Sequence, residues 1–416
     1  MTDASMHACV IHAFVRGTPG RRGDGGEVTM RTMTMRTTSS SSAAVAVASS
    51  SSSRRERRKM MTTTMRRRGS TSTSPRAMSS ASVSEMTPEE STALCAALAE
   101  DLTHLFDARG IDAALYAPDV SFEDPLTKYD SFAGYAFNIQ MLRRVFSPEY
   151  VMHDIYQSGP WEITTRWTMT MAVPAFPFVW RPRLTFTGTS IMGVDPETKR
   201  VRTHVDTWDS IENQRHLSPE GVAEVLKQIF DFTQTPDLDT PGYVVLKKRR
   251  DYEVRRYEPY LVASTGPGVD VKEMKTSAPA KMDGQVAGQA FNSLAGYIFG
   301  QANATGTKME MTTPVFTKEN TMQFVVSGDS VDALPASTNE KVVLQEEKGG
   351  IFVAKKFSGV ATEDTAREAE AELRKCAARD GLETSGNAAL AQYNDPFTNP
   401  LVRRNEIIIP VSNFTM

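Results

Sequence analysis

The sequence predicts an α+β protein with two folded units behind a long polar arm, and three observations carry that expectation. Residues 1–86 show no apolar period, residues 87–232 read as helices followed by a run of strands, and residues 242–412 repeat the pattern strand, helix, strand, strand. The first unit is expected to be a cone-like curved antiparallel sheet with helices packed in its concavity. The second is expected to be a pseudo-twofold curved sheet or distorted, open β-barrel with two flanking helices. Residues 233–241, punctuated by proline and acid and lacking any apolar period, form the linker.

The arm is set apart by charge. Residues 1–86 hold 14 Arg/Lys against 5 Asp/Glu, a net of +9, so the overall −3 leaves −12 on residues 87–416. It is about one third Ser and Thr, and its one aromatic residue is Phe14. Such a composition buries too little apolar surface to offset chain entropy. Poor in acid and without an uninterrupted apolar core, it reads as an organellar transit peptide, plastid before mitochondrion, cut within 60–86 near Met78-Ser79-Ser80-Ala81. An ordinary disordered basic tail is the alternative.

Composition excludes several functions. No run of ~18 apolar residues can span a bilayer as a helix. A folded portion carrying −12 repels phosphate, so nucleic acid is not an expected partner. Three cysteines, Cys9, Cys95 and Cys376, make neither a disulfide framework nor a metal knuckle. P-loop, HExxH and GxSxG motifs are absent.

The elements follow in order. Thr87-Pro88-Glu89-Glu90 is a capping box with proline at the first helical position, and Leu94, Leu98, Leu102 and Leu105 continue the stripe toward Gly110. A helix over 131–146 precedes strands near 150–157, 161–173, 183–194 and 200–211, and a helix from Ser218 to Phe230 closes the unit. Asp124, before Pro125, reads as a turn former. In the second unit, strands 243–248 and 252–265 lead to a helix over 286–300, then to strands near 307–316 and 321–327. Strand 350–357, helix 363–380 and strands near 388–393 and 405–411 form the echo.

Three stretches of the second unit resemble the SOUL haem-binding family. They are Tyr252-Glu253-Val254-Arg255-Arg256-Tyr257-Glu258-Pro259-Tyr260, the run Phe291 to Gly300 leading into Met309-Glu310-Met311-Thr312-Thr313-Pro314-Val315, and Tyr393 to Pro400 with Arg403-Arg404-Asn405-Glu406-Ile407. Residues 90–235 are similar to the plant and algal domain of unknown function found ahead of SOUL modules, with a nuclear-transport-factor-2-like fold. The pairing is one of photosynthetic eukaryotes, which agrees with a chloroplast location in the stroma or at a thylakoid or plastoglobule surface.

The resemblance implies that haem or another tetrapyrrole is bound reversibly. A flat apolar ring needs an aliphatic and aromatic groove, and its two propionates need cations or hydrogen-bond donors. Phe291, Leu294, Tyr297 and Ile298 on the helix, Met309 and Met311 alternating along the next strand, and Lys308 beside them are the expected ligand contacts. Core packing is the alternative for each apolar one. Lys281, Lys355, Lys356, Arg403 and Arg404 are further cations, although Arg403-Arg404-Asn405-Glu406 reads better as an anchor for the last strand. Loop 266–285 reads as a lid or an insertion.

Two departures from the family bear on chemistry. The six histidines, His7, His12, His104, His153, His204 and His216, all precede the SOUL-like region. An axial ligand there could only be Tyr, Met or Cys376, so the expectation is apolar contact and carboxylate pairing, tolerant of iron-free rings. The 286–300 helix also carries no Lys or Arg.

The expected role is a non-enzymatic tetrapyrrole carrier, with tetrapyrrole-metabolism enzymes and plastid membrane or lipid-body surfaces as its surroundings. The rival is an isomerase- or hydratase-like enzyme in the cone of the first unit, using His153-Asp154 or His204-x-Asp206 on an apolar substrate; a surface Asp–His pair on a solvent-edge strand is the alternative. A protein-binding scaffold is a third class. The aromatic, proline-rich segment 171–183 reads as buried between hairpin and helix, or else it would line the cone's mouth, meet the second unit or touch a membrane.

Overall fold

Residues 85–174, 181–265, 284–318 and 321–416 are described by the computed structural model. The arm up to residue 84, Phe176, Phe178 and Trp180 of the aromatic segment, and the 266–283 loop with Lys281 lie outside the described residues. No helix among the described residues is long and apolar enough to cross a membrane.

The first helix, α1 (Pro88–Thr103), starts as its sequence dictates. Thr87 Oγ1 accepts the Glu90 N–H at 3.2 Å while Glu90 Oε2 accepts the Thr87 N–H at 2.9 Å. It ends a turn and a half before Gly110, capped at His104. Next come β1 (Tyr116–Glu123), β2 (Lys128–Tyr129), α2 (Phe132–Phe146) and the long strands β3 (Glu149–Gly159), β4 (Glu162–Ala172), β5 (Arg183–Val194) and β6 (Val201–Trp208). They form one six-stranded sheet in the order β2-β1-β6-β5-β4-β3. The expected antiparallel run holds from β3 to β6, but β1, a stretch not foreseen as a strand, pairs parallel to β6. Period 2 divides the sheet: Ile163, Met192 and Val201 pack under α1 and α2, while Arg166 and Thr168 point away. Helix α3 (Pro219–Ile229) lies against β5, where the Gln228 amide accepts from Thr185 N at 2.7 Å and donates to Thr185 O at 3.1 Å.

Nine strands make the second sheet: β7 (Tyr243–Lys248), β8 (Glu253–Tyr257), β9 (Tyr260–Thr265), β10 (Val315–Lys318), β11 (Thr321–Val326), β12 (Val342–Glu347), β13 (Gly350–Phe357), β14 (Ala389–Gln392) and β15 (Asn405–Pro410). Their order is β12-β9-β11-β10-β14-β15-β13-β8-β7, every neighbouring pair antiparallel. A pseudo-twofold runs between β10 and β14, since β9-β11-β10 on one side repeats as β13-β15-β14 on the other. The preceding strands are exchanged: β8 flanks the half that contains β13, and β12 flanks the half that contains β9. The sheet curls into a half-barrel with two helices, α4 (Gly284–Ile298) and α5 (Glu363–Arg379).

Strand parity assigns the two faces. Val254, Val353, Leu390, Ile407 and Ile409 pack on Ala366, Leu373 and Ala377 of α5. Leu261, Ala263, Phe324 and Val326 pack on Ala290, Leu294, Tyr297 and Ile298 of α4. The helix-free face alternates with these positions and holds Tyr257, Phe316, Ala354, Ala391, Tyr393 and Ile408.

Two readings of this region are corrected. The 252–265 strand is broken at Glu258-Pro259, because proline cannot donate to a ladder. Residues 307–314 are not a strand. Gly300 ends α4 at φ +81°, where an added Cβ would lie 2.6 Å from Gly306 O. The chain then folds back, with Met309 N–H on Ile298 O at 2.8 Å and the Asn303 amide donating to Tyr297 O and Thr307 O, both at 2.8 Å. Apart from an isolated bridge between Asp239 and Thr312, strand pairing starts at Val315.

The described residues belong to one compact unit in which β7 lies against the outward face of β4 and β5. Lys248 N donates to Thr187 Oγ1 at 2.7 Å, Thr168 Oγ1 to Val245 O at 2.5 Å, and Arg249 Nη1 to Asp209 O at 3.1 Å.

Candidate ligand site

The face of α4 is the first place to look for the expected groove, and the structure divides its residues. Leu294 and Tyr297 are fully buried and Ile298 is 2% exposed, all three in the core between α4 and the sheet. The Tyr297 hydroxyl is also spent, donating to Pro335 O at 2.8 Å. These three therefore present no surface to a ligand, because the curled sheet needs that stripe to close its own core. Phe291 is 44% exposed, its ring edge-on to Phe324 at 5.3 Å. Met309 is partly buried against the core, and Met311 is 42% exposed.

Lys308, Met309 and Met311 do converge, but not on the helix face. With Asp237, Leu238, Asp239 and Glu310 they line a shallow depression of about 500 Å³. Three carboxylates surround one ammonium there, and the Lys308 Nζ lies 5.7 Å from the Phe299 ring centroid. A dianionic ring edge would meet net repulsion at this place.

The helix-free face is organised by a buried ion network that residue spacing does not reveal. Arg255 donates through Nη1 and Nη2 to Glu406 at 2.7 and 3.0 Å, and through Nε to Glu253 at 2.9 Å. Arg404 reaches the same Glu406 at 2.8 and 3.0 Å and stacks on the Tyr393 ring at 3.9 Å, while the Tyr393 hydroxyl completes the carboxylate at 3.0 Å. Burial alone would raise the Glu406 carboxyl, but the two guanidiniums outweigh it and hold it at about 2. Arg404 thus anchors the last strand, as its sequence context implied. Arg403 does the same for the preceding turn, donating to Thr398 O at 2.7 Å.

Above this network, between α3 and the β7-β8-β13 edge, lies a cleft of about 750 Å³. Its walls come from both sheets' domains: Arg181, Arg183, Thr185 and the α3 residues Glu224, Lys227 and Gln228 on one side, Tyr243, Arg255 and Lys356 on the other. Lys356 is engaged with Asp231 at 2.5 Å, and Lys355 with Glu372 at 3.1 Å.

In the first sheet, His204 is not on a solvent edge. It is 4% exposed on an interior strand, with its Nδ1 3.2 Å from the Tyr135 hydroxyl and its Nε2 3.0 Å from Asp206. The Phe122 and Tyr135 rings pack edge-on against it at 5.2 and 5.4 Å, and Ser190 Oγ donates to Asp206 at 2.5 Å. Both imidazole nitrogens are thus committed, which is the arrangement of a satisfied core histidine. His153 sits instead on the β7-facing side, 2.8 Å from Thr168 Oγ1, where burial lowers its pKa. The pair with Asp154 does not form, since Asp154 caps the Ile155 N–H at 2.9 Å. Asp124 accepts the Leu126 and Thr127 N–H groups, the expected turn, and burial pushes it up to about 6.

Of the axial ligands open to a haem iron, the thioether of Met311 is 42% exposed while the thiol is enclosed. Cys376 is buried in the α5 core, with burial raising its thiol pKa. Among the described residues no cluster of three His, Cys, Asp or Glu could hold a metal ion.

Residues 238–410 match the family described as SOUL heme-binding protein, and residues 92–204 match the family described as uncharacterized conserved protein DUF2358. No curated protein matches the chain. Among solved structures, an LEH-like epoxide hydrolase of M. tuberculosis is 15% identical over 34% of this chain and 94% of its own, with TM-score 0.26. An NTF2-like protein of unknown function from Exiguobacterium is 14% identical over 28% of this chain and 99% of its own, at TM-score 0.23. A hydrolase from Listeria innocua is 17% identical over 39% of this chain and 92% of its own, at TM-score 0.27.

Proposed function

Taking as premise that residues 238–410 are a SOUL haem-binding domain, we propose that the protein is a plastid carrier that binds haem or a related tetrapyrrole reversibly and hands it to enzymes of tetrapyrrole metabolism. The family match over that domain is the observation that carries the reading. The lack of any histidine beyond His216 supports a ring held by contact and carboxylate pairing rather than by imidazole on its iron. The committed nitrogens of His204 favour a carrier over an enzyme in the N-terminal sheet. The plastid placement rests on the basic, hydroxylated composition of residues 1–86, and a stromal, thylakoid or plastoglobule location is part of the same proposal.

The test is a titration of the full chain with haemin and with iron-free protoporphyrin IX, followed by tryptophan quenching. Saturable binding of both rings with dissociation constants within a few-fold supports a carrier without axial ligation. Binding of haemin alone would require an iron ligand and overturn that part. Binding of neither ring removes the carrier reading.

A further inference from the structure

The cleft between the two sheets' domains has a charge pattern that the fold does not need. Most of its cations are held by carboxylates: Lys248 by Glu253 at 2.9 Å, Arg249 by Asp380 at 3.3 Å, Arg183 by Glu149 at 3.4 Å. Three are not. Among the described residues Arg181, Arg250 and Lys227 have no carboxylate within ion-pair distance; Lys227 donates to the backbone oxygen of Arg250, with Glu224 and Asp251 acting on it, and Glu220 and Glu224 on Arg250, only from further away. All three are exposed and line the cleft. This surplus stands out in a chain whose residues 87–416 carry −12.

Aromatic surface lies beside these cations. Phe232, 45% exposed, and Tyr243, half-buried with the Arg255 guanidinium 4.3 Å and the Tyr257 ring 5.0 Å from its own centroid, both line the cleft. The volume of about 750 Å³ falls within the roughly 300–1,000 Å³ of organic-ligand sites. A flat aromatic face bordered by unpaired cations is complementary to a flat, polycarboxylate ring. The depression around Lys308 offers the opposite balance, with three acids to one base.

We propose that this interdomain cleft is the protein's tetrapyrrole carboxylate site, with Lys227, Arg250 and Arg181 receiving the carboxylates and Phe232 and Tyr243 bearing the ring. The site takes rings with two or more carboxylates and binds those with more of them tighter. It also gives the N-terminal domain a role, since α3 and the residues just before β5 supply two of the three cations. The proposal rests on the tetrapyrrole reading for its ligand class, and on the cleft alone for its location.

The experiment titrates the full chain with protoporphyrin IX, which carries two carboxylates, and coproporphyrin III, which carries four. Wild type is compared with the double variant Lys227→Glu/Arg250→Glu and with Phe291→Asp on the α4 face. The expected result is a loss of about tenfold or more for protoporphyrin in the double variant, a larger loss for coproporphyrin, and less than twofold change for Phe291→Asp. Should the double variant melt early, Arg181→Ser/Arg250→Ser, which reverses no charge, gives the same reading at smaller amplitude. Wild-type binding that survives the cleft variants but fails in Phe291→Asp overturns the location and leaves the carrier reading standing. No binding to wild type removes both.

Discussion

Arg255 on β8 and Glu406 on β15 form a two-pronged ion pair, at 2.7 and 3.0 Å, across the intervening strand β13. Both side chains are buried, and 150 residues of chain separate them. Removing one partner strands the other's charge in the core, which costs about 3–5 kcal/mol. Glu406→Gln is expected to lower stability by that order in urea unfolding. A loss under about 1 kcal/mol would mean that Arg404 and Tyr393 relax to absorb the change. The sign with pH follows from the depressed carboxyl: its contribution is complete above the ordinary glutamate value of 4.5 and fades as pH falls toward about 2.

Asp124 titrates the other way. Its folded value, about 6, is above the ordinary 3.8, so its contribution is complete below pH 3.8 and is lost as pH rises through 6. Asp124→Asn retains an acceptor for the Leu126 and Thr127 N–H groups and is expected to flatten the stability profile between pH 4 and 6. An unchanged slope in chemical denaturation across that window would contradict the assignment.

Gly300→Ala tests the turn that brings Met309 back onto α4. At φ +81°, with Gly306 O 2.6 Å from the new Cβ, the substitution is expected to cost about 1–3 kcal/mol. The fall in melting temperature measures it, and an unchanged melt would show that the turn can open without loss.

Lys308→Glu is expected to change porphyrin binding by less than twofold, because Asp237, Asp239 and Glu310 already set the local potential. A tenfold loss in the titration would return the carboxylate site to the α4 side.

Asp209 governs the joint between the sheets. It pairs with Arg166, takes the Thr187 hydroxyl, and through them orients groups that bind Leu246 O and Lys248 N of β7. Asp209→Ala is expected to divide a single calorimetric unfolding transition into two. One sharp transition at wild-type temperature would show that the remaining contacts suffice.

Local signals were legible because they act over short distances. The Thr87-Pro88-Glu89-Glu90 cap, the apolar spacing of Leu294 and Ile298, and the turn at Asp124 each involve groups within a few residues. The twice-repeated order of strands and helices was readable too, and the pseudo-twofold half-barrel follows from it. The alternation of Met309 and Met311 misled, since a period of 2 is evidence for a strand only where a partner strand exists. Gly306, at φ +66°, and Pro314 were the available signs against it.

What the sequence determined by itself was the α+β class, the helix stripes and the absence of imidazole beyond residue 216, because composition and periodicity contain them. Tertiary structure alone decided which face of each stripe was consumed. Leu294, Tyr297 and Ile298 look the same on paper whether they line a groove or close a core, and only the curl of the sheet over α4 places them inside. It also decided the charges: Arg255 and Arg404 spend themselves on Glu406, while Lys227, Arg250 and Arg181, drawn from distant segments, are left facing one cleft. Electrostatic complementarity depends on distances through space, and no local pattern in the chain encodes them.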